Sequence, residues 1–247
     1  MTEKRGELIA KVIARSGYCS RREAVRLIDN GSVKVNGVVI NTPLVFITNE
    51  SIKVNNKLLN PPEKTNLWLF NKPRGYIVSS NDPEKRKTIY DILPPELSKI
   101  IPVGRLDVNT EGLMLLTNNG ELANFISHPT TAWKRVYMVK VHGMWDKIDF
   151  SRYEKFGLRI NGVKYAPFKI AIDRENGTTN AWLKITITEG KNKEVRKIME
   201  HFRLIVMKLI RVSFGTFNLG NLPAGAVKPV PDKVLKSAIG NKFKIVK

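Results

Sequence analysis

The sequence predicts an α+β protein in which a small N-terminal module precedes a larger domain built on a mainly antiparallel, mixed sheet. Three observations lead there. Residues 7 to 60 read as helix, helix and hairpin. From Leu67 onward strands dominate. The helices that interrupt those strands are short and lack the regular spacing of β-α-β units, which argues against a doubly wound parallel sheet.

The N-terminal module is read residue by residue. Leu8, Ile9, Val12 and Ile13 recur at helical spacing. Ser20-Arg21-Arg22-Glu23 is a capping box that opens a second helix carrying Ala24, Leu27 and Ile28, and Asn30-Gly31 stops it. Val33-Lys34-Val35 then alternates as a strand, Asn36-Gly37 is a strong two-residue hairpin turn, and Val38 to Ile40 returns. The polar, proline-stiffened run Pro61-Pro62-Glu63-Lys64-Thr65-Asn66 follows as a linker.

Strands are expected at Leu67 to Asn71, Tyr76 to Ser79, Ile101 to Val103, Leu113 to Thr117, Tyr137 to Val141 and Ala181 to Thr188. Helices are expected near Thr88 to Leu93, Glu121 to Ser127 and Lys193 to His201, the last capped by Asn192. The C-terminal stretch, with Lys233, Lys236, Lys242, Lys244 and Lys247, reads as a basic tail, either an RNA-binding extension or a frayed end. The expected boundaries are 1–60 for the N-terminal domain, 61–66 for the linker, 67–232 for the large domain and 233–247 for the tail.

Composition narrows the class. In 247 residues, 42% apolar content is ample for a core, and 42 Lys and Arg against 22 Asp and Glu leave a net charge of +20. A uniformly basic globular chain points to a polyanionic partner. Met1 to Glu7 are polar, and no window approaches the roughly 18 apolar residues of a membrane span, so a cytoplasmic protein with no membrane partner is expected. Cys19 is the only cysteine, and His128, His142 and His201 are widely spaced, so no disulfide and no metal site are expected.

The run from Gly104 to Gly120, Gly-Arg-Leu-Asp-Val-Asn-Thr-Glu-Gly-Leu-Met-Leu-Leu-Thr-Asn-Asn-Gly, is the most informative stretch. One arginine and one carboxylate stand in a tight polar loop directly before a continuous apolar strand, which presents a reactive side chain at the lip of a sheet. Arg105-Leu106-Asp107 alone would carry little, since an aspartate at a strand end is usually a turn residue. The longer match through Thr110, Glu111, Gly112 and Asn119-Gly120 is far more specific, and it resembles the catalytic signature of the RsuA/RluB family of ribosomal RNA pseudouridine synthases.

Three further segments share that resemblance: Asn71-Lys72-Pro73-Arg74-Gly75-Tyr76, Lys134 to Val141, and Glu189 to Glu200 running on to Leu209-Ile210-Arg211-Val212. The resemblance implies that Asp107 is the catalytic carboxylate, that Tyr137 stacks on the target uracil, and that Arg196 pairs with the aspartate. It also implies substrate-binding roles for Arg105, which would support the flipped nucleotide and fill its space, for the turn carrying Lys72 and Arg74, and for Gly112, which would give clearance beside the nucleotide. Lys191 and Lys193 stand where the family more often has arginine, and Phe202-Arg203-Leu204 stands where it often has glycine, so a different helix exit is expected. The N-terminal module is similar to the alpha-L RNA-binding module, through Ser20-Arg21-Arg22, Ala24, Ile28, Gly31, Val33, Val35 and Asn36-Gly37. Arg21 and Arg22 lie in the first helical turn, where cations oppose the helix dipole unless a phosphate lies opposite.

The expected function is therefore isomerisation of a specific uridine to pseudouridine in ribosomal RNA, 23S more than 16S, by a monomer without a cofactor, on naked RNA or on a pre-ribosomal particle. Asp107 is compatible with attack at C1′, addition to C6 of uracil or abstraction of a sugar proton. Two other readings use the same residues: a non-catalytic ribosome-assembly factor that merely holds RNA, and a base-excising glycosylase.

Overall fold

The structure, a computed structural model, describes residues 6–80, 82–175, 177–240 and 243. The chain divides into two compact units: one runs through Thr65 and takes in Asn118–Gly120, and the other holds Asn66–Thr117 and continues from Glu121.

In the N-terminal unit, β1 (Glu7–Leu8) leads into α1 (Ile9–Arg15) and α2 (Arg21–Asp29). The Ser20 side chain accepts the Glu23 N–H at 3.2 Å, so the capping residue read from the sequence starts α2. Strands β2 (Val33–Val35), β3 (Val38–Val39), β5 (Ile52–Val54) and β6 (Lys57–Leu58) form a sheet of order β3-β2-β5-β6, while β4 (Phe46–Ile47) pairs with β1. Asn36 and Gly37 both have positive φ, the geometry that a two-residue hairpin turn demands. Ile9, Ile13, Ala24, Ile28, Val33 and Val54 close the small core.

The larger unit is one twisted sheet with peripheral helices. Its strands are β7 (Leu67–Lys72), β8 (Ile101–Pro102), β9 (Glu111–Thr117), β10 (Arg135–His142), β13 (Lys169–Glu175), β14 (Asn180–Ile187), β15 (Ile205–Phe214), β16 (Phe217–Asn218) and β17 (Val227–Pro229). The order is β13-β14-β10-β15-β9-β7-β17, with β16 on β15 and β8 on β9. Every pairing in it is antiparallel except β9 with β15, so the sheet is mixed and mainly antiparallel, as the sequence predicts. A separate hairpin joins β11 (Leu158–Ile160) to β12 (Val163–Tyr165), and the helices are α3 (Gly120–Ser127), α4 (Tyr153–Phe156), α5 (Glu194–His201) and α6 (Asp232–Ile239).

Several local expectations change. Tyr76 to Ser79 is not a strand; only Ile77 bridges to Thr88, because the segment runs past a turn rather than beside a partner strand. The helix expected over Thr88 to Leu93 is a single tight turn, Ile89–Asp91, held by a reciprocal Thr88 and Asp91 cap. Lys193, not Asn192, caps α5, with φ of 52° and no side-chain bond, and Glu194 accepts the Lys191 N–H instead. At the far end Arg203 does take the left-handed position, with its N–H on Glu200 O at 2.8 Å and that of Leu204 on Met199 O at 2.9 Å. This pair of bonds completes a Schellman motif without glycine, so the exit does not differ in kind. The basic tail is also revised. Lys233 and Lys236 lie on α6, whose Leu235 and Ile239 are buried at i and i+4, whereas Lys242, Lys244 and Lys247 lie outside the described residues.

At the β9–β15 seam the backbone leaves no room for a side chain at position 112. Gly112 has φ of 101°, and a Cβ there would sit 2.3 Å from Arg211 O and 2.8 Å from Arg211 N. Gly112→Ala combines left-handed strain with a backbone clash, and a loss of roughly 3 kcal/mol or more in unfolding free energy is expected by urea titration. A change below about 1 kcal/mol would mean that the seam can slide apart at little cost.

Candidate active site

The elements bring three distant segments to one cleft of about 880 Å³. Arg105 and Asp107 enter from the loop before β9, Tyr137 from β10, and Arg196 from α5. Tyr137 is buried because its strand neighbours in register are Ile185 on β14 and Arg211 on β15, so its ring lies on the packed side of the sheet. Arg105 is exposed at the cleft rim.

The loop carrying Asp107 is held from beneath by Lys72. Its side chain is fully buried, and its Nζ donates to Pro73 O at 3.1 Å, Asp107 O at 3.2 Å and Thr110 O at 2.9 Å. Three carbonyl acceptors match the three N–H bonds of an ammonium group, whereas a neutral amine would turn a lone pair toward one of them. Burial pulls the Lys72 pKa down to about 8, opposed by the charges of Asp107 and Glu111. Lys72 is therefore a positioning residue and not a group presented to substrate, which corrects the role implied by the resemblance.

Other bonds complete the cradle. Gly75 N–H donates to Val108 O at 2.8 Å, Thr110 N–H to Asp107 O at 3.0 Å, and Arg74 Nε to the Asn109 side chain at 3.4 Å. Arg74 is exposed and ties the turn to the loop. Arg196 donates through Nη2 to Asn109 O at 2.8 Å, so its bond goes to the loop backbone and not to the aspartate carboxylate. Burial lowers the Arg196 pKa, and the field of Asp107 pulls it back up. Among the described residues nothing bonds the Asp107 carboxylate, which leaves both of its oxygens available at the cleft. Gly112 lies behind this loop and its clearance is used by Arg211 backbone, so the space beside the nucleotide has another origin.

Residues without an assigned role in the sequence reading also line the cleft. Arg135 and Arg211 are buried, with their guanidinium carbons 4.8 and 4.9 Å from the centre of the Phe214 ring. Arg135 donates to the carbonyls of Trp133, Thr188, Glu189 and Ser127, and Arg211 Nε to Leu113 O at 2.7 Å. Among the described residues, Thr110 Oγ1 and Arg211 Nη2 are buried in cleft-lining residues without a hydrogen-bond partner, and the Glu194 carboxylate faces that of Glu189. A charged residue in strand alternation with a buried leucine, such as Arg211 two places after Leu209 in β15, is the signal that could have found one of them.

Glu194 is the acidic member of this set. Burial pushes its pKa up to about 7, and the facing carboxylate of Glu189 adds to the shift. The folded state thus holds a proton that the unfolded state releases near 4.5. Stability from this group is fully present below about 4.5 and declines as pH rises to about 7, by a few kcal/mol at most. Glu194→Gln keeps an acceptor for the Lys191 N–H and carries no charge, so it is expected to flatten that decline and to exceed the parent in stability above pH 7. Urea midpoints at pH 5 and pH 8 measure this, and an unchanged slope would assign the proton to another group.

Comparison with known proteins fits this geometry. A family model for RNA pseudouridylate synthase matches residues 66–201, and one for the S4 domain matches residues 8–43. An uncharacterised RNA pseudouridine synthase of Rickettsia typhi is 42% identical over 237 residues, covering 95% of this chain and 96% of that protein. The ribosomal large subunit pseudouridine synthase B of Bacillus subtilis is 36% identical over 233 residues, covering 93% and 94%. A crystal structure of a pseudouridylate synthase superposes with a TM-score of 0.63 at 27% identity, covering 90% of this chain and 94% of that one. This chain matches these proteins nearly end to end and belongs to the RNA pseudouridine synthases of the RsuA/RluB type, which are isomerases, with an S4 RNA-binding domain at its N-terminus.

Proposed function

We propose that this synthase acts on ribosomal RNA, converting a specific uridine of the large-subunit 23S RNA to pseudouridine, with Asp107 as its catalytic carboxylate. The observation that carries the site assignment is the convergence of Asp107, Tyr137 and Arg196 on one cleft from segments far apart in the chain. The large-subunit assignment draws on the names of relatives such as the Bacillus subtilis enzyme.

Isomerisation breaks the N1–C1′ bond and rejoins the base through C5, so the uracil must turn while it remains captive. Tyr137 offers a flat ring to hold it by its face, a contact worth roughly 1 to 3 kcal/mol in stacking systems. The target nucleotide must first leave its stack, at a cost of a few kcal/mol, and Arg105 at the rim is suited to fill the space left behind.

Asp107→Asn keeps shape and removes the anion. The variant is expected to hold RNA within about twofold of the parent and to lose single-turnover isomerisation by at least about a thousandfold. Tritium release from uracil C5 measures the step, and turnover near the parent rate would remove Asp107 from the chemistry. Mapping pseudouridine across both ribosomal RNAs in a deletion strain decides the subunit: a site lost from 16S RNA alone would overturn the 23S assignment.

Arg21 and Arg22 are exposed in the first turn of α2, and among the described residues neither forms an ion pair, while Glu23 pairs with Arg26 at 3.3 Å. If the parent neutralises about five phosphates, log affinity falls against log salt with a slope of about −3.5. Arg21→Ala with Arg22→Ala is expected to flatten that slope by about 1.4 while single-turnover chemistry at saturating RNA is unchanged. An unchanged slope would return this helix face to ordinary solvated surface.

A further inference from the structure

Across β13, β14, β10 and β15 the two faces of the sheet differ sharply. Toward the cleft side, Tyr137, Val139, Leu183, Ile185, Leu209 and Arg211 are all buried. The residues that alternate with them point away from the cleft, since successive strand side chains take opposite faces. Register aligns Arg174, Trp182, Lys140 and Lys208 in one cross-strand row on that outer side, and Ala171, Lys184, Met138 and Ile210 in the next. None of these eight is buried, and Arg174, Ala171, Lys184 and Lys208 are exposed. On neighbouring β9 the same side carries Leu113 and Leu115, both fully buried, so the outer face is covered there and open here.

The open part is cationic. Arg174, Lys140 and Lys208 share the row of the half-buried Trp182, Lys184 lies in the next row, and Lys169 in the row after that. Two acids accompany them: Glu111, which pairs with Lys208 at 3.3 Å, and Asp173, at the irregularity beside Arg174. Lys140 stands directly opposite Lys208 on the adjacent strand, where like charges repel, and Glu111 offsets the charge of Lys208 but not that of Lys140. Three inter-strand steps separate Arg174 from Lys208, so the row spans about 14 Å.

We propose that this outer sheet face is a second RNA-contact surface, which holds phosphates of a substrate segment away from the target uridine and lays a base against Trp182. The proposal rests on the reading of ribosomal RNA as the substrate, because only an RNA much larger than the target loop reaches around the sheet from the cleft. RNA suits the face better than an acidic protein does. The chain is an RNA pseudouridine synthase with a net charge of +20, and an indole among cations is the pattern that binds bases and phosphates together.

The test uses the full-length protein with two RNAs, a long 23S fragment and the minimal target stem-loop. Lys140→Gln with Lys184→Gln is expected to weaken binding of the long fragment about tenfold near physiological salt and to flatten its salt slope by about 1.4, with stem-loop affinity and single-turnover rate unchanged. Lysine acylation of the parent protein gives a readout that does not depend on the variant folding: Lys140 and Lys184 should be protected by the long fragment and left reactive with the stem-loop. Unchanged affinity and slope for the long fragment, or no protection by it, would overturn the proposal and leave the face to an acidic protein. Failure of the parent to modify 23S RNA at all would instead overturn the substrate reading on which it rests.

Discussion

The parallel contact of β9 with β15 is the constraint on which the rest of the catalytic unit depends. It is recorded by two register pairs, Ile210 with Glu111 and Arg211 with Gly112, and reinforced by Arg211 Nε on Leu113 O. On one side of it lie β7, β8, β9 and β17, on the other β10, β13, β14, β15 and β16. Asp107 belongs to the first half, and Tyr137 and Arg196 to the second, so the cleft is a product of that seam. A side chain at 112 would separate the halves and with them the reacting groups, which is why backbone alone fits there.

The cradle around Asp107 follows from the same economy of contacts. The loop is fixed through its main chain rather than through the carboxylate. Lys72, Arg196 and Thr110 all reach backbone carbonyls of residues 107 to 110 and leave the carboxylate open. Positive charge is thereby concentrated beneath and beside the aspartate without neutralising it by a direct bond. Such preorganisation holds donors and dipoles in place before the reaction begins.

Much of this was legible in the sequence where a local rule decides the outcome. The Ser20 cap, the Asn36-Gly37 turn and the apolar run of β9 each follow from chemistry within a few residues. The Asp107 loop was legible because its long motif carries more information than any single residue. Misread features depend on partners far away in the chain. Lys72 looks like a surface cation until three carbonyls from a distant loop surround it, and Gly112 looks like room for a nucleotide until β15 arrives from about a hundred residues downstream. Tyr76 to Ser79 has strand composition but meets only one bridge, so propensity gave way to the absence of a neighbour along its length. Arg203 shows the reverse: a position that favours glycine keeps its geometry with arginine because the two terminal bonds of α5 and burial of Leu204 outweigh the local strain.

The ring of Phe214, with the guanidinium carbons of Arg135 and Arg211 at 4.8 and 4.9 Å from its centre, marks out two kinds of positive charge in this enzyme. Exposed arginines and lysines meet RNA through water, and mobile ions compete with them within a Debye length of about 8 Å at physiological ionic strength. Buried guanidiniums on an aromatic face are shielded from those ions. Ionic conditions that loosen RNA from the outer surface therefore leave the potential inside the cleft nearly intact, so capture of the transcript and rearrangement of its base answer to salt independently.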